Sequence, residues 1–189
     1  MAFVRPTIRR SFWWRQLNVT TLNDSLLEGY IVEAERRFDV KRFPINICGI
    51  AESPSEGTHT QYDPERNNIT VVLREPGSND FYRRSMLAQE SIHVFSPATP
   101  AEANALERGL ATFFVLSVIE NLEQPDGARS PEYLRDLLEV EEFVSNCRNG
   151  IKGLMEKKGR LCLIEAVDIF NLCPNLGWGK AEQLAKKIY

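Results

Sequence analysis

Residues 87–93 read LAQESIH. They belong to a segment expected to be helical from about Asp80 to Phe95, ending at Ser96–Pro97 because proline disfavours helical backbone in the residue before it. On that helix Gln89 and His93 are four apart and project from one face, one turn above the other. Glu90 lies about 100° round from Gln89, close enough to reach a water held between those two side chains. The chain has 19 glutamates and two histidines, so an E-x-x-H spacing arises by chance in about one such chain in five. A partly buried histidine bonded to a backbone carbonyl fits the spacing equally well. The surrounding segments decide.

Downstream, Thr99 is placed as an N-cap, Pro100 at the first helical position and Glu102 as the partner in a capping box. The helix they start is expected to run to about Leu122 and to carry ALERGLATFF (105–114). Its buried stripe is Leu106, Leu110, Phe113 and Phe114, with Glu107 at the edge of that stripe and Gly109 and Ala111 allowing close helix approach. Upstream, Ser25 and Glu28 have capping-box spacing for a helix from about Ser25 to Phe38, striped by Leu27, Tyr30, Ile31, Ala34 and Phe38. RFPINICGIA (42–51) reads as a strand, with Ile45, Ile47 and Gly49 alternating against Asn46 and Cys48. TQYD (60–63), the turn signal DPERNN and ITVVL (69–73) read as a hairpin.

After the loop EQPDGARSP, a helix opens at Ser130–Pro131 and runs to about Cys147. Gly150 and Gly153 loosen the chain, and helices follow from about Leu161 to Leu172 and from Lys180 onward. The expected class is α+β: one domain over 1–189, a small N-terminal sheet with an edge hairpin, then a helical bundle.

Composition excludes several roles. The chain has 189 residues, 43% hydrophobic and 26% charged, with net charge -3 and pI near 5.6. Nothing global suggests a nucleic-acid partner. No apolar run approaches the roughly 18 residues of a membrane span. There is no nucleotide, flavin or haem motif. Cys48, Cys147, Cys162 and Cys173 form no C-x-x-C pair and are expected to be reduced, half-buried thiols, which points to a cytoplasmic protein. The first 23 residues carry four arginines and no acid, slightly like a transit peptide, but lack the apolar core of a secretory signal, so no cleaved leader is expected. In that arm Phe3, Phe12, Trp13 and Trp14 are expected to pack on the body.

The order strand ITVVL, helix RRSMLAQESIHVF, turn SPATP, helix ALERGLATFF resembles the catalytic core of zincin metallopeptidases, over roughly residues 43–117. With histidine at Gln89, residues 89–93 would read H-E-x-x-H. In that family a hairpin edge strand flanks the cleft, and in the glutamate-zincin branch a later helix supplies a glutamate ligand, often within E-x-G-x-A. ERGLA here supplies Glu107, fourteen residues after His93. The resemblance implies His93 and Glu107 as metal ligands and Glu90 as the general base. Such a metal lowers the pKa of bound water from about 15.7 to roughly 7. Tyr62, on the implied edge strand, would touch a peptide added along it, or simply pack across the hairpin. Arg108 would bind an oxyanion or pair with a local acid.

Gln89 departs from the pattern. Glutamine offers zinc only a neutral amide oxygen, a poorer donor than imidazole. His59 precedes the hairpin and is expected to be a loop histidine rather than a substitute ligand. The leading expectation is therefore a zincin-like pseudoenzyme with no metal or a weakly bound zinc, binding a peptide or protein partner in the retained cleft. The alternative is an active zinc metallopeptidase with Gln89, His93 and Glu107 around the metal. A third reading, a helical scaffold unrelated to zincins, would be favoured by His93 and Glu107 lying far apart.

Overall fold

The strands β1 (Asn18–Thr20), β2 (Asn46–Ser53), β3 (His59–Asp63) and β4 (Asn68–Arg74) form one sheet in the order β1-β2-β4-β3. The structure, a computed structural model, describes residues 18–20, 24–53, 57–74, 80–99, 102–119 and 131–188. The aromatic-rich arm and Pro100 lie outside these residues. β3 and β4 are the expected hairpin, antiparallel, with Thr60 opposite Val71 and Tyr62 opposite Ile69. β4 runs parallel to β2, and β1 pairs antiparallel on the far side of β2. β3 is thus an edge strand of the sheet.

Ile69 to Leu73 of β4 are all buried, the continuous pattern of a strand covered on both faces. In β2 the expected alternation fails after Cys48. A register shift falls between Ile47 and Gly49, and Gly49 takes φ +119, a backbone that glycine adopts without steric cost. The bulge leaves Cys48 exposed and buries Gly49, Ile50 and Ala51 in succession.

Seven helices are described: α1 (Asp24–Phe38), α2 (Asp80–Phe95), α3 (Ala105–Val118), α4 (Pro131–Asn146), α5 (Gly150–Lys158), α6 (Ala166–Leu172) and α7 (Trp178–Ala185). α2 has the predicted bounds, and two cores share it. Leu87 and Val94 pack with Leu27 and Ile31 of α1 and with Ile50, Ile69, Val71 and Leu73 of the sheet. Ala88, Ile92 and Phe95 face the helical core, with Leu106, Leu110, Phe114, Val140 and Phe143. Phe38 lies 6.3 Å from both Phe95 and Phe114, tilted, within the range of favourable aromatic pairs. With so much of α2 buried, Tyr82, Met86, Gln89 and His93 remain a half-buried stripe at helical spacing. No helix among the described residues is long and apolar enough to cross a membrane.

Several expectations change. α3 starts at Ala105, not beside Thr99. Thr99 N–H and Oγ1 do donate to Glu102 Oε2, at 2.9 and 3.0 Å, but they close a turn only. Asn104 is extended (φ -126, ψ 170) and is the true N-cap. It is held so because Ala105 N–H donates to Lys186 O and Ile188 N–H to Ala103 O, at 2.9 and 3.0 Å. Two capping signals compete in SPATPAEANALE, and tertiary pairing with the C-terminal tail selects the second. α3 ends at Val118, Ile119 being extended. Glu28 forms no capping box; both its oxygens accept from Arg42, at 2.8 and 2.7 Å.

The largest correction is α5, where loosened chain was expected. A Cβ on Gly150 would lie 2.5 Å from Phe143 Cζ, and one on Gly153 3.0 Å from Leu172 Cδ1. These glycines permit close packing inside a helix. Residues 161–163 form a 3-10 turn rather than helix, and α7 begins at Trp178, before Lys180. Lys180 therefore lies in the first turn of α7 and pairs with Glu142. Lys187 donates to the carbonyls of Glu102 and Cys162.

Candidate functional site

α2 supplies Glu90 and His93, the first turn of α3 supplies Glu107, and β3 supplies Thr60. His93 Nδ1 and Glu107 Oε1 are 2.8 Å apart. Thr60 Oγ1 donates to Glu90 Oε2 at 2.7 Å. Glu90 and Glu107 are 1% and 0% exposed, while the His93 side chain keeps 24% of its surface. The two helices and the edge strand therefore meet at four polar side chains, and the separation of His93 and Glu107 that would favour an unrelated scaffold is not found.

Each position has a local cause. Asn104 Oδ1 accepts from Glu107 N–H at 2.9 Å and Asn104 Nδ2 donates to Leu161 O at 2.8 Å, which fixes the first turn of α3. A carboxylate in that turn is favoured by the helix dipole. Gly109, one turn on, lets α3 sit on α4: a Cβ there would be 2.4 Å from Asp136 O. Arg108 points away, donating to Asp136 Oδ2 at 2.7 Å with its guanidinium 5.0 Å from the Tyr133 ring. The local-pairing expectation for Arg108 holds. Asp136 is 3% exposed, so this acid of α4 is a buried brace.

Burial alone would push His93 down. The hydrogen bond to Glu107, then the charges of Glu90 and Glu107, outweigh it and hold His93 at about 9. At neutral pH the ring is an imidazolium donating to Glu107, and a doubly protonated ring has no lone pair for a metal. Because the folded pKa is raised above the ordinary 6.5, the stabilisation is fully present below about pH 6.5 and is lost as pH rises through about 9. The expected loss is about 2–3 kcal/mol between pH 6 and pH 10. Urea unfolding at a series of pH values checks it; in Glu107→Gln that dependence shrinks as His93 returns toward its ordinary range.

Gln89 sits half-buried one turn above His93. The donor set near Glu90 is thus one imidazole, one buried carboxylate and one neutral amide. That set does not fit a tight zinc site, because the imidazole and carboxylate are bonded to each other. Among the described residues no group of three or more His, Cys, Asp and Glu side chains is disposed to hold a metal ion. Glu107 Oε2 is buried and accepts no hydrogen bond from the described residues.

His59 is the first residue of β3, not a loop residue, and its Nδ1 lies 2.8 Å from Gly57 O. Strand alternation puts it on the opposite sheet face from Thr60 and Tyr62, away from Glu90. Tyr62 stands across the hairpin from Ile69, and Arg160 lies 5.8 Å from its ring and 5.8 Å from that of Phe43 and donates to Pro97 O at 3.2 Å. Asp168, for which the sequence offers no partner, bonds Glu165 N–H at 3.0 Å and pairs with Lys157 and Lys158 at 2.7 and 3.0 Å.

The chain matches no protein-family model, no curated protein and no solved structure. Sequence reasoning missed Thr60 and Asn104. Alternation gives the face that Thr60 shares with Tyr62, but not its partner Glu90, 30 residues away. Asn104 was masked by the stronger Thr99–Glu102 signal.

Proposed function

We propose that the chain is a zincin-like protein with a degenerate metal site, which binds an extended peptide or protein segment along β3 and the half-buried stripe of α2 without cleaving it. The observation that carries this reading is the 2.8 Å bond between His93 and Glu107, which brings together two residues that the resemblance assigns to one centre. Support for binding without cleavage comes from the same atoms. Glu90, the implied base, already accepts the Thr60 hydroxyl; His93 is cationic; Gln89 supplies no ring nitrogen. An edge strand has backbone groups that a peptide can pair with by strand addition. The His93 imidazolium adds Nε2–H, the ring donor that Glu107 does not take.

An unbiased peptide library incubated with the native protein tests the reading. The expected result is retention of a subset of peptides without cleavage, with retention weakened at least about tenfold in His93→Ala, the worth of one charge-assisted hydrogen bond. Robust hydrolysis abolished by Glu90→Ala overturns it.

One observation favours a second reading, an active metallohydrolase with Gln89, His93 and Glu107 as ligands and Glu90 as base. Glu107 Oε2 is a buried carboxylate oxygen without a hydrogen bond from the described residues, an arrangement that a cation would relieve. On that reading His93→Ala abolishes both metal uptake and hydrolysis, and Gln89→His strengthens uptake. If neither substitution alters metal uptake, it fails.

A further inference from the structure

Cys147 and Cys173 end two helices beside each other. Cys147 follows the last turn of α4 and its N–H donates to Phe143 O at 2.9 Å; Cys173 caps α6 and donates to Ile169 O at 2.8 Å. Cys147 Sγ lies 3.8 Å from Leu172 O, the carbonyl that leads directly into Cys173, and Cys147 packs against the buried cluster that contains Cys173. Both cysteines are free. They differ in access. Cys173 is 4% exposed in the helical core, whereas Cys147 is half-buried and lines a cavity of about 210 Å³ with Arg37, Phe113, Val144 and Arg148.

We propose that Cys147 and Cys173 form a redox pair, which a small-molecule disulfide oxidises to an intramolecular bond tying the end of α4 to the end of α6. The reaction is a double exchange. The Cys147 thiolate attacks one sulfur of the reagent, breaking its S–S bond, forming a mixed disulfide and expelling one thiolate. Cys173 loses its proton to solvent and attacks Cys147 Sγ, forming the protein disulfide and expelling the second thiolate. Two electrons pass from the protein thiols to the reagent, which leaves as two reduced thiols. Access dictates the order, because only Cys147 borders the cavity.

The surroundings also set the rate. Burial pushes the Cys147 thiol up to about 11, and the neighbouring Cys173 adds to the shift. The attacking thiolate is scarce at neutral pH, so closure is slow there and speeds up about tenfold per pH unit through pH 9. This pair responds to sustained oxidation, unlike an exposed, low-pKa sensor thiol.

The test is incubation of the full chain with oxidised glutathione at pH 8 and pH 9, followed by acid quench, alkylation and non-reducing mass spectrometry. The expected product has lost two hydrogens, yields a peptide joining residues 147 and 173, and forms about tenfold faster at pH 9. Its unfolding midpoint is higher by about 5–10 °C, because the bond closes a loop enclosing α5 and α6. Cys173→Ser should stop at a stable glutathione adduct on Cys147, and Cys48→Ala should behave as native. Three results would overturn the pairing: a lasting adduct on Cys147 in the native chain, a cross-link involving another cysteine, or both thiols still reduced at pH 9 when the urea-unfolded chain has oxidised. Because Cys173 is in the core, Cys147→Ala serves as the second variant, and it should form no intramolecular link.

Discussion

Gln89→His is expected to bind zinc at least about 100-fold more tightly than the native chain, since changes outside the ligand sphere alone cost 10 to 100-fold and this one restores a ring nitrogen within it. The new imidazole would project from the same face of α2 as His93, one turn away. On the proposed reading the native site resists metal for two separable reasons. One is the amide at Gln89. The other is the proton on His93, which at about 9 must be removed before the ring can coordinate; at pH 7 that costs roughly 2.7 kcal/mol, about 100-fold in affinity. Zinc affinity of the variant should accordingly rise about tenfold per pH unit between 7 and 9. Competition against a chromophoric chelator measures both effects. Equal affinities for variant and native protein at both pH values would show that α2 does not present a metal-binding face.

Gly109→Ala is expected to destabilise the protein by about 2–4 kcal/mol, beyond the ordinary cost of overpacking because a backbone atom is in the way. A Cβ at residue 109 would meet Asp136 O at 2.4 Å and Val140 Cγ2 at 2.7 Å. The side chain of Val140 can turn, but the carbonyl of α4 cannot. Relief requires α3 to move off α4, which stretches the pair between Arg108 and buried Asp136 and shifts Glu107 relative to His93. Gly29→Ala is the matched control: it lies in α1 with nothing within 4 Å of its Cβ position, and it should stabilise by up to about 1 kcal/mol. Urea midpoints of the two variants check the contrast, and a native midpoint for Gly109→Ala would contradict the packing argument.

The two glycine classes also show what a sequence reveals and what it hides. Gly29, Gly150 and Gly153 are indistinguishable as letters, and helix propensity argues against each of them equally; Gly109 was legible as a close-approach residue only because it falls beside the apolar stripe of α3. Only the neighbouring helices tell an exposed position from a contact site, which is why α5 was hidden. α2, by contrast, was legible at both ends, because the Ser96–Pro97 stop is a local backbone rule. The hairpin was legible for the same reason, through the turn residues of DPERNN. The start of α3 was misread because a long-range pairing with residues 186–188 outweighs a local capping pair. At the site, the spacing on α2 fixed the face shared by Gln89 and His93, but the bond to Glu107 depends on two helices meeting. The bond from Thr60 to Glu90 spans 30 residues, and no local pattern predicts it.

The most direct test of the central claim, a zincin-like site that has lost its metal, is the zinc content of native protein. It would be purified without a tag and dialysed against trace zinc at pH 7, with Gln89→His treated in parallel. The account predicts far less than one zinc per native chain and close to one per variant chain. One zinc per native chain, retained through dialysis and lost in His93→Ala, would contradict it and make Gln89 a working ligand.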